Sequence, residues 1–253
     1  MIESTSAPRT RRTEDSMGLS DMFKPTSNDP GGRRALDAAA DATPDFLTGI
    51  IESILSLGIF GKGPFDSASQ IAQKALAEAN GDVDEAISKV ITLHTGFGAV
   101  GGFATGVGGF VTMPVALPVN VFTFFSLAAR MTAAIAEIRG YDPTRPEIRS
   151  AILLTMVGSN ADEILTRAGV TTIGGRATMM ALKRLPKAAL MVVNKAIGFR
   201  LLRTVGGMTL SRLGRAVPFI GGGVGAGFDA WMMKRIGAQA ALEFPLRSAN
   251  DGL

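Results

Sequence analysis

The sequence predicts an all-α protein: a multi-helix bundle with glycine-rich central helices behind a disordered N-terminal arm. Apolar residues recur at three- and four-residue spacing in segment after segment. Capping residues, prolines and glycines bound those segments. No segment alternates with the period of two that a half-buried strand requires.

The arm covers residues 1–35. It is rich in Ser, Thr, Pro, Gly and mixed charge, with too little apolar surface to offset the entropy of ordering. No apolar signal-peptide core follows the polar start, so a cytoplasmic location is expected. A helical domain is expected over residues 36–246, with a short tail over 247–253. Thr43-Pro44 places a cap before a proline at the first helical position, and Leu47, Ile50, Ile51, Ile54 and Leu55 follow at helical spacing. Gly58 to Pro64 ends that helix. Asp66 or Ser67 caps the next, and Asn80-Gly81 stops it. Asp82 and Glu85 make a carboxylate capping pair for a third helix, which puts Val83, Ala86, Ile87, Val90, Ile91 and His94 on one face.

From Val90 to Ala129, forty residues carry no formal charge. The stretch reads as a glycine-rich helix, a turn marked by Pro114 and Pro118, and a long helix to about Arg139. Three arrangements stay open for it: a buried hairpin, in-plane insertion, and a true span, since about 20 apolar residues cross a bilayer. Seven glycines between Gly96 and Gly109 favour close packing over a lipid-facing span. Gly140 and Asp142-Pro143 then mark a turn, Pro146 opens another helix, and Pro218 opens a last one to Phe244.

Two glycine runs imitate dinucleotide-binding loops: Gly96, Gly98 and Gly101, then Gly221, Gly223 and Ala226. The first follows a helix rather than a strand and has no acidic residue about twenty positions on, and the second has no repeating strand–helix unit around it. The physical reading is close helix approach. Gly98, Gly102 and Gly106 recur every four residues, as do Gly221 and Gly225, leaving strips against which a backbone or a lipid chain can pack.

Charge is unevenly spread. Residues 36–94 hold nine acidic and three basic side chains, whereas 164–228 hold ten basic ones and no acid. The basic run points to an anionic partner. On a helix, Arg176, Lys183 and Lys187 share one face, with Arg184 beside them. Lys195, Arg200 and Arg203 extend the surface. Tyr141 and Trp231 lie outside this run, which argues against nucleic acid, because stacking platforms would be missing.

There is no cysteine and only one histidine, His94. That excludes a thiolate metal site and a cysteine nucleophile, and leaves zinc without its usual ligands. No Gly-x-Ser-x-Gly elbow and no His-Glu-x-x-His motif occurs. No catalytic residue, metal or cofactor is expected.

Three blocks resemble the EcsC family. One runs from Thr95-Gly96-Phe97-Gly98 through Gly108-Gly109-Phe110 to Met113-Pro114 and Pro118. The second is Ile135-Ala136-Glu137-Ile138-Arg139-Gly140-Tyr141-Asp142. The third begins at Val193-Asn194-Lys195 and continues through Val217-Pro218-Phe219-Ile220-Gly221-Gly222 to Phe228-Asp229 and Ile236-Gly237. The resemblance implies association with a bacterial ABC transporter and supplies no catalytic motif. Asn120, Asn194 and Asp229 are polar residues inside these apolar blocks, read as caps or buried hydrogen-bonding groups.

The expected function is that of a non-enzymatic peripheral membrane protein at the inner face of the cell membrane. It would bind anionic lipid through the basic surface and an apolar lipid chain beside the glycine-lined helices, alongside a membrane complex. Two alternatives stand: a structural or regulatory partner of an ABC transporter without direct lipid recognition, and a lipid- or peptide-directed hydrolase.

Overall fold

The computed structural model describes residues 44–63, 65–107, 109–157 and 218–247, with single positions at 165, 193 and 196. For residues 44–47, 104–107, 109–121, 218–222 and 224 it describes the backbone alone. Six helices account for almost all of this: α1 (Pro44–Phe60), α2 (Ala68–Glu78), α3 (Val83–Val107), α4 (Gly109–Ile138), α5 (Pro146–Val157) and α6 (Pro218–Glu243). Among the described residues there is no strand, only an isolated bridge between Lys62 and Phe65. The N-terminal arm lies outside the described residues.

Local chemistry sets the boundaries. Helix α1 buries Ile51, Ile54, Leu55 and Ile59 along one stripe and ends at Gly61, whose φ of 67° excludes most side chains. Ser67 is the N-cap of α2, with a full capping box: its hydroxyl accepts from the Gln70 N–H at 3.2 Å, and its own N–H donates to Gln70 Oε1 at 2.8 Å. Asn80 and Gly81 follow with φ of 51° and 86°, and the Gly81 N–H closes on Leu76 O at 2.8 Å. Asp82 Oδ1 accepts from the Glu85 N–H at 2.8 Å and starts α3. At the end of α4, Gly140 takes a φ of 88° and the Tyr141 N–H reaches back to Ala136 O at 3.0 Å, a Schellman closure.

The turn in the uncharged stretch falls elsewhere than at Pro114 and Pro118. Helix α3 runs unbroken through the glycines to Val107, and α4 begins at Gly109 and continues through both prolines. Gly108 and Gly109 stand at this break in the sequence, and glycine is the residue at which a helix ends at least steric cost. Each proline deletes one hydrogen bond from α4, and their four-residue spacing puts both losses on one face, where a helix absorbs them by bending.

The second half of α4 is the axis of the bundle. Every residue from Ala128 to Ala136 is buried. Helices α1, α2, α3 and α6 all pack on α4, and α3 with α6 makes the most extensive pair. Gly58 lets α1 lie against α4: an added Cβ would stand 2.8 Å from Ala129 Cβ and 2.9 Å from Arg130 N. The chain after α6 returns to the same end, where Arg247 N–H donates to Arg139 O at 3.0 Å and the Phe244 and Tyr141 rings meet edge-on at 5.6 Å.

Candidate functional site

Three places in the molecule concentrate unusual chemistry. The first is the α3–α6 crossing. The helices run antiparallel: Gly98 faces Asp229, Gly102 faces Gly225, and Gly237 faces Ile91. An added Cβ on Gly98 would lie 3.2 Å from Asp229 O. One on Gly102 would run into Gly225 O and stand 2.7 Å from Asp229 Oδ2, and one on Gly225 would stand 2.5 Å from Gly102 O. The structure therefore brings Gly98, Gly102, Gly225 and Asp229 together, with backbone filling the space between the helices. Gly106 and Gly221 lie on the same two helices. Asn120 lies on α4, and its side chain is outside the described residues.

The second is a buried pair of basic side chains. His94 on α3 and Arg130 on α4 are both buried. His94 Nδ1 donates to Val90 O at 2.8 Å, which places the proton of the neutral ring on Nδ1. Among the described residues, His94 Nε2 and Arg130 Nε have no hydrogen-bond partner. The His94 pKa is lowered to about 4, chiefly by burial; the Val90 carbonyl raises it against that, and the nearby Arg130 charge adds to the lowering. Arg130 lies 5.1 Å from the Phe65 ring centroid, and the Asp66 carboxylate favours its charge against desolvation. Sequence reasoning singled out His94 but missed Arg130. The signal was present: Arg130 is the first charge after forty uncharged residues.

The third is an exposed apolar stripe. Leu93, Phe97, Val100 and Phe103 on α3 are 47%, 45%, 69% and 51% exposed. Spacings of four, three and three residues keep them on one side of the helix. The sequence reading did not separate this outward stripe from the buried one, because both are apolar at helical spacing. On α6, Trp231 is also exposed; Arg235 stacks over its ring at 5.4 Å, and the Phe228 ring lies 6.0 Å away.

An open groove of about 690 Å³ lies at the opposite end, lined in part by Ser69, Glu137, Asp142, Thr144 and Arg247. Its polar groups serve one another. Ser69 donates to Glu137 Oε1 at 2.6 Å, and Arg247 Nη1 donates to Gly140 O at 3.2 Å. The Thr144 hydroxyl and N–H both donate to Asp142 Oδ1, at 2.6 and 2.9 Å, and hold that carboxyl below its usual pKa. The Asp142–Thr144 part of this groove is turn architecture. Among the described residues no group of three metal-ligating side chains forms, and no helix is long and apolar enough to cross a membrane.

The model of the EcsC protein family matches residues 40–248, which covers α1 to α6 and the intervening chain. The chain belongs to the EcsC family. No curated protein and no solved structure matches it. The match takes in all three places described above in this EcsC protein. The basic surface of Arg176, Lys183, Arg184, Lys187, Lys195, Arg200 and Arg203 lies outside the described residues, as does Asn194.

Proposed function

We propose that this EcsC protein is a non-enzymatic peripheral membrane protein that binds anionic lipid at the inner face of the cell membrane, alongside a membrane complex such as an ABC transporter. The observation that carries the reading is the exposed stripe of Leu93, Phe97, Val100 and Phe103, set in a forty-residue stretch without charge. A contiguous apolar surface of that kind costs free energy in water and suits contact with acyl chains. The basic run supplies the complementary attraction to anionic headgroups, each basic residue near the surface contributing about 1 kcal/mol before screening.

Vesicle sedimentation tests this. Wild-type protein is expected to pellet with vesicles of mixed phosphatidylglycerol and phosphatidylcholine, poorly with phosphatidylcholine alone, and less as salt rises. Changing Arg176, Lys183, Arg184 and Lys187 to Glu removes about 4 kcal/mol of attraction, on the order of a thousandfold in affinity. Failure of the wild type to pellet with anionic vesicles overturns the proposal. Equal pelleting of the quadruple variant removes this basic surface from it.

A further inference from the structure

We infer that the glycine-packed end of the bundle inserts to the depth of one bilayer leaflet, with Trp231, Lys234 and Arg235 at the headgroup level. The inference rests on the membrane reading above and assigns the surface and the depth. It starts from charge. The end consists of residues 96–107 of α3, residues 109–120 of α4, which follow them in the chain, and residues 218–230 of α6. Across these three segments Asp229 is the sole formally charged residue. Its carboxylate lies against α3, in the space that glycine at position 102 leaves open. Apart from that one half-buried carboxylate, the end carries no formal charge.

The boundary is built differently. The α3–α6 pairing sets Gly98 opposite Asp229, which puts Trp231 level with Gly96. Lys234 and Arg235 follow within the next turn, both exposed, with Arg235 over the Trp231 ring at 5.4 Å. On α3 charge resumes at Lys89, paired with Glu85 at 3.3 Å. A tryptophan with adjacent basic side chains, placed where charge begins, is the composition of a membrane–water interface. The depth agrees with this. From Gly96 to Val107 the helix advances about 17 Å at 1.5 Å per residue. Half of a hydrocarbon core about 30 Å thick is about 15 Å. Phe97, Val100 and Phe103 fall within that depth and face outward.

The chain has one tryptophan and no cysteine, so both levels can be read in the full-length protein without background. Single cysteines at Val100 and Phe103, and a control at Gln73 on exposed α2 surface, would carry an environment-sensitive fluorophore. The probe is a phosphatidylglycerol–phosphatidylcholine vesicle carrying nitroxide either in the headgroup or deep in the acyl chain. On binding, the labels at 100 and 103 are expected to shift blue and to be quenched more by the deep nitroxide. Trp231 is expected to be quenched more by the shallow one, and the label at 73 by neither. Phe103→Glu is expected to weaken vesicle binding by on the order of tenfold or more, because it places a charge at acyl depth. Leu242→Glu, at an equally exposed leucine on the other end of α6, is expected to leave binding unchanged. Vesicle binding with the labels at 100 and 103 still open to aqueous iodide overturns the insertion and leaves the membrane reading standing. Absence of vesicle binding overturns both. Concentration-dependent shielding of those labels without vesicles assigns the stripe to a second copy of the chain and overturns the insertion.

Discussion

In its first half α3 buries Ala86, Ile87 and Val90 among the branched and aromatic side chains of the core, while Lys89 and Glu85 keep the outer face charged. In its second half it meets α6 through Gly98 and Gly102, and its outer face is Phe97, Val100 and Phe103. The first arrangement derives stability from area removed from water, so it depends on how much side chain is present. The second derives stability from backbones in van der Waals contact, so it depends on side chain being absent. The ends should therefore respond in opposite ways to the same change in size, and only the first keeps water-compatible charge outside.

The sharpest break would come from the core. Leu154 on α5 is fully buried, so Leu154→Ala is expected to cost about 3 kcal/mol or more through lost burial and a residual cavity. Denaturant unfolding measures this. A loss below about 1 kcal/mol would mean that this end is less tightly packed than its burial indicates.

Acid should act through His94, which joins the two regions. Its pKa lies at about 4 in the fold against 6.5 for an ordinary imidazole, so the unfolded chain binds a proton that the fold rejects. The contribution from keeping the ring neutral is full above pH 6.5 and is lost as pH falls from there to about 4. That window is worth about 3 kcal/mol at 1.36 kcal/mol per unit. The difference in stability between wild type and His94→Gln, measured from pH 7 to pH 4, should shrink or reverse toward the acid side. A constant difference would show that His94 is not held neutral.

Enlargement at the glycine end comes next. Gly102→Ala would press a methyl into Gly225 O and Asp229 Oδ2, and separating the helices to fit it is expected to cost about 2 kcal/mol. The smallest effect sharpens the contrast. Gly96, on the same helix, has nothing within 4 Å of an added Cβ. Gly96→Ala should stabilise by up to about 1 kcal/mol through helix propensity alone. Thermal unfolding of the pair decides it: equal effects at 96 and 102 would mean that the helices do not meet at Gly102.

Much of this was legible in the residues, for local reasons. The caps at Ser67 and Asp82, the left-handed stops at Gly81 and Gly140 and the proline starts at Pro44, Pro146 and Pro218 act within a few positions of the chain, and the helices begin and end there. The break between α3 and α4 was less legible, because Gly108-Gly109 and Pro114 are both helix breakers in the sequence. The choice between them depends on where α4 must run to bury Phe124 to Ile138, and that is not a local matter.

By itself the sequence determined the helical class, most helix ends, the forty-residue gap in charge and the glycine spacing, since each is a property of neighbouring residues. Tertiary structure decided which apolar stripe of α3 faces outward, which glycines meet backbone and which meet open space, and that Arg130 is buried beside His94. The physical reason is that spacing assigns residues to one face of a helix, whereas burial is assigned by the helices that pack there, and these come from positions more than a hundred residues away.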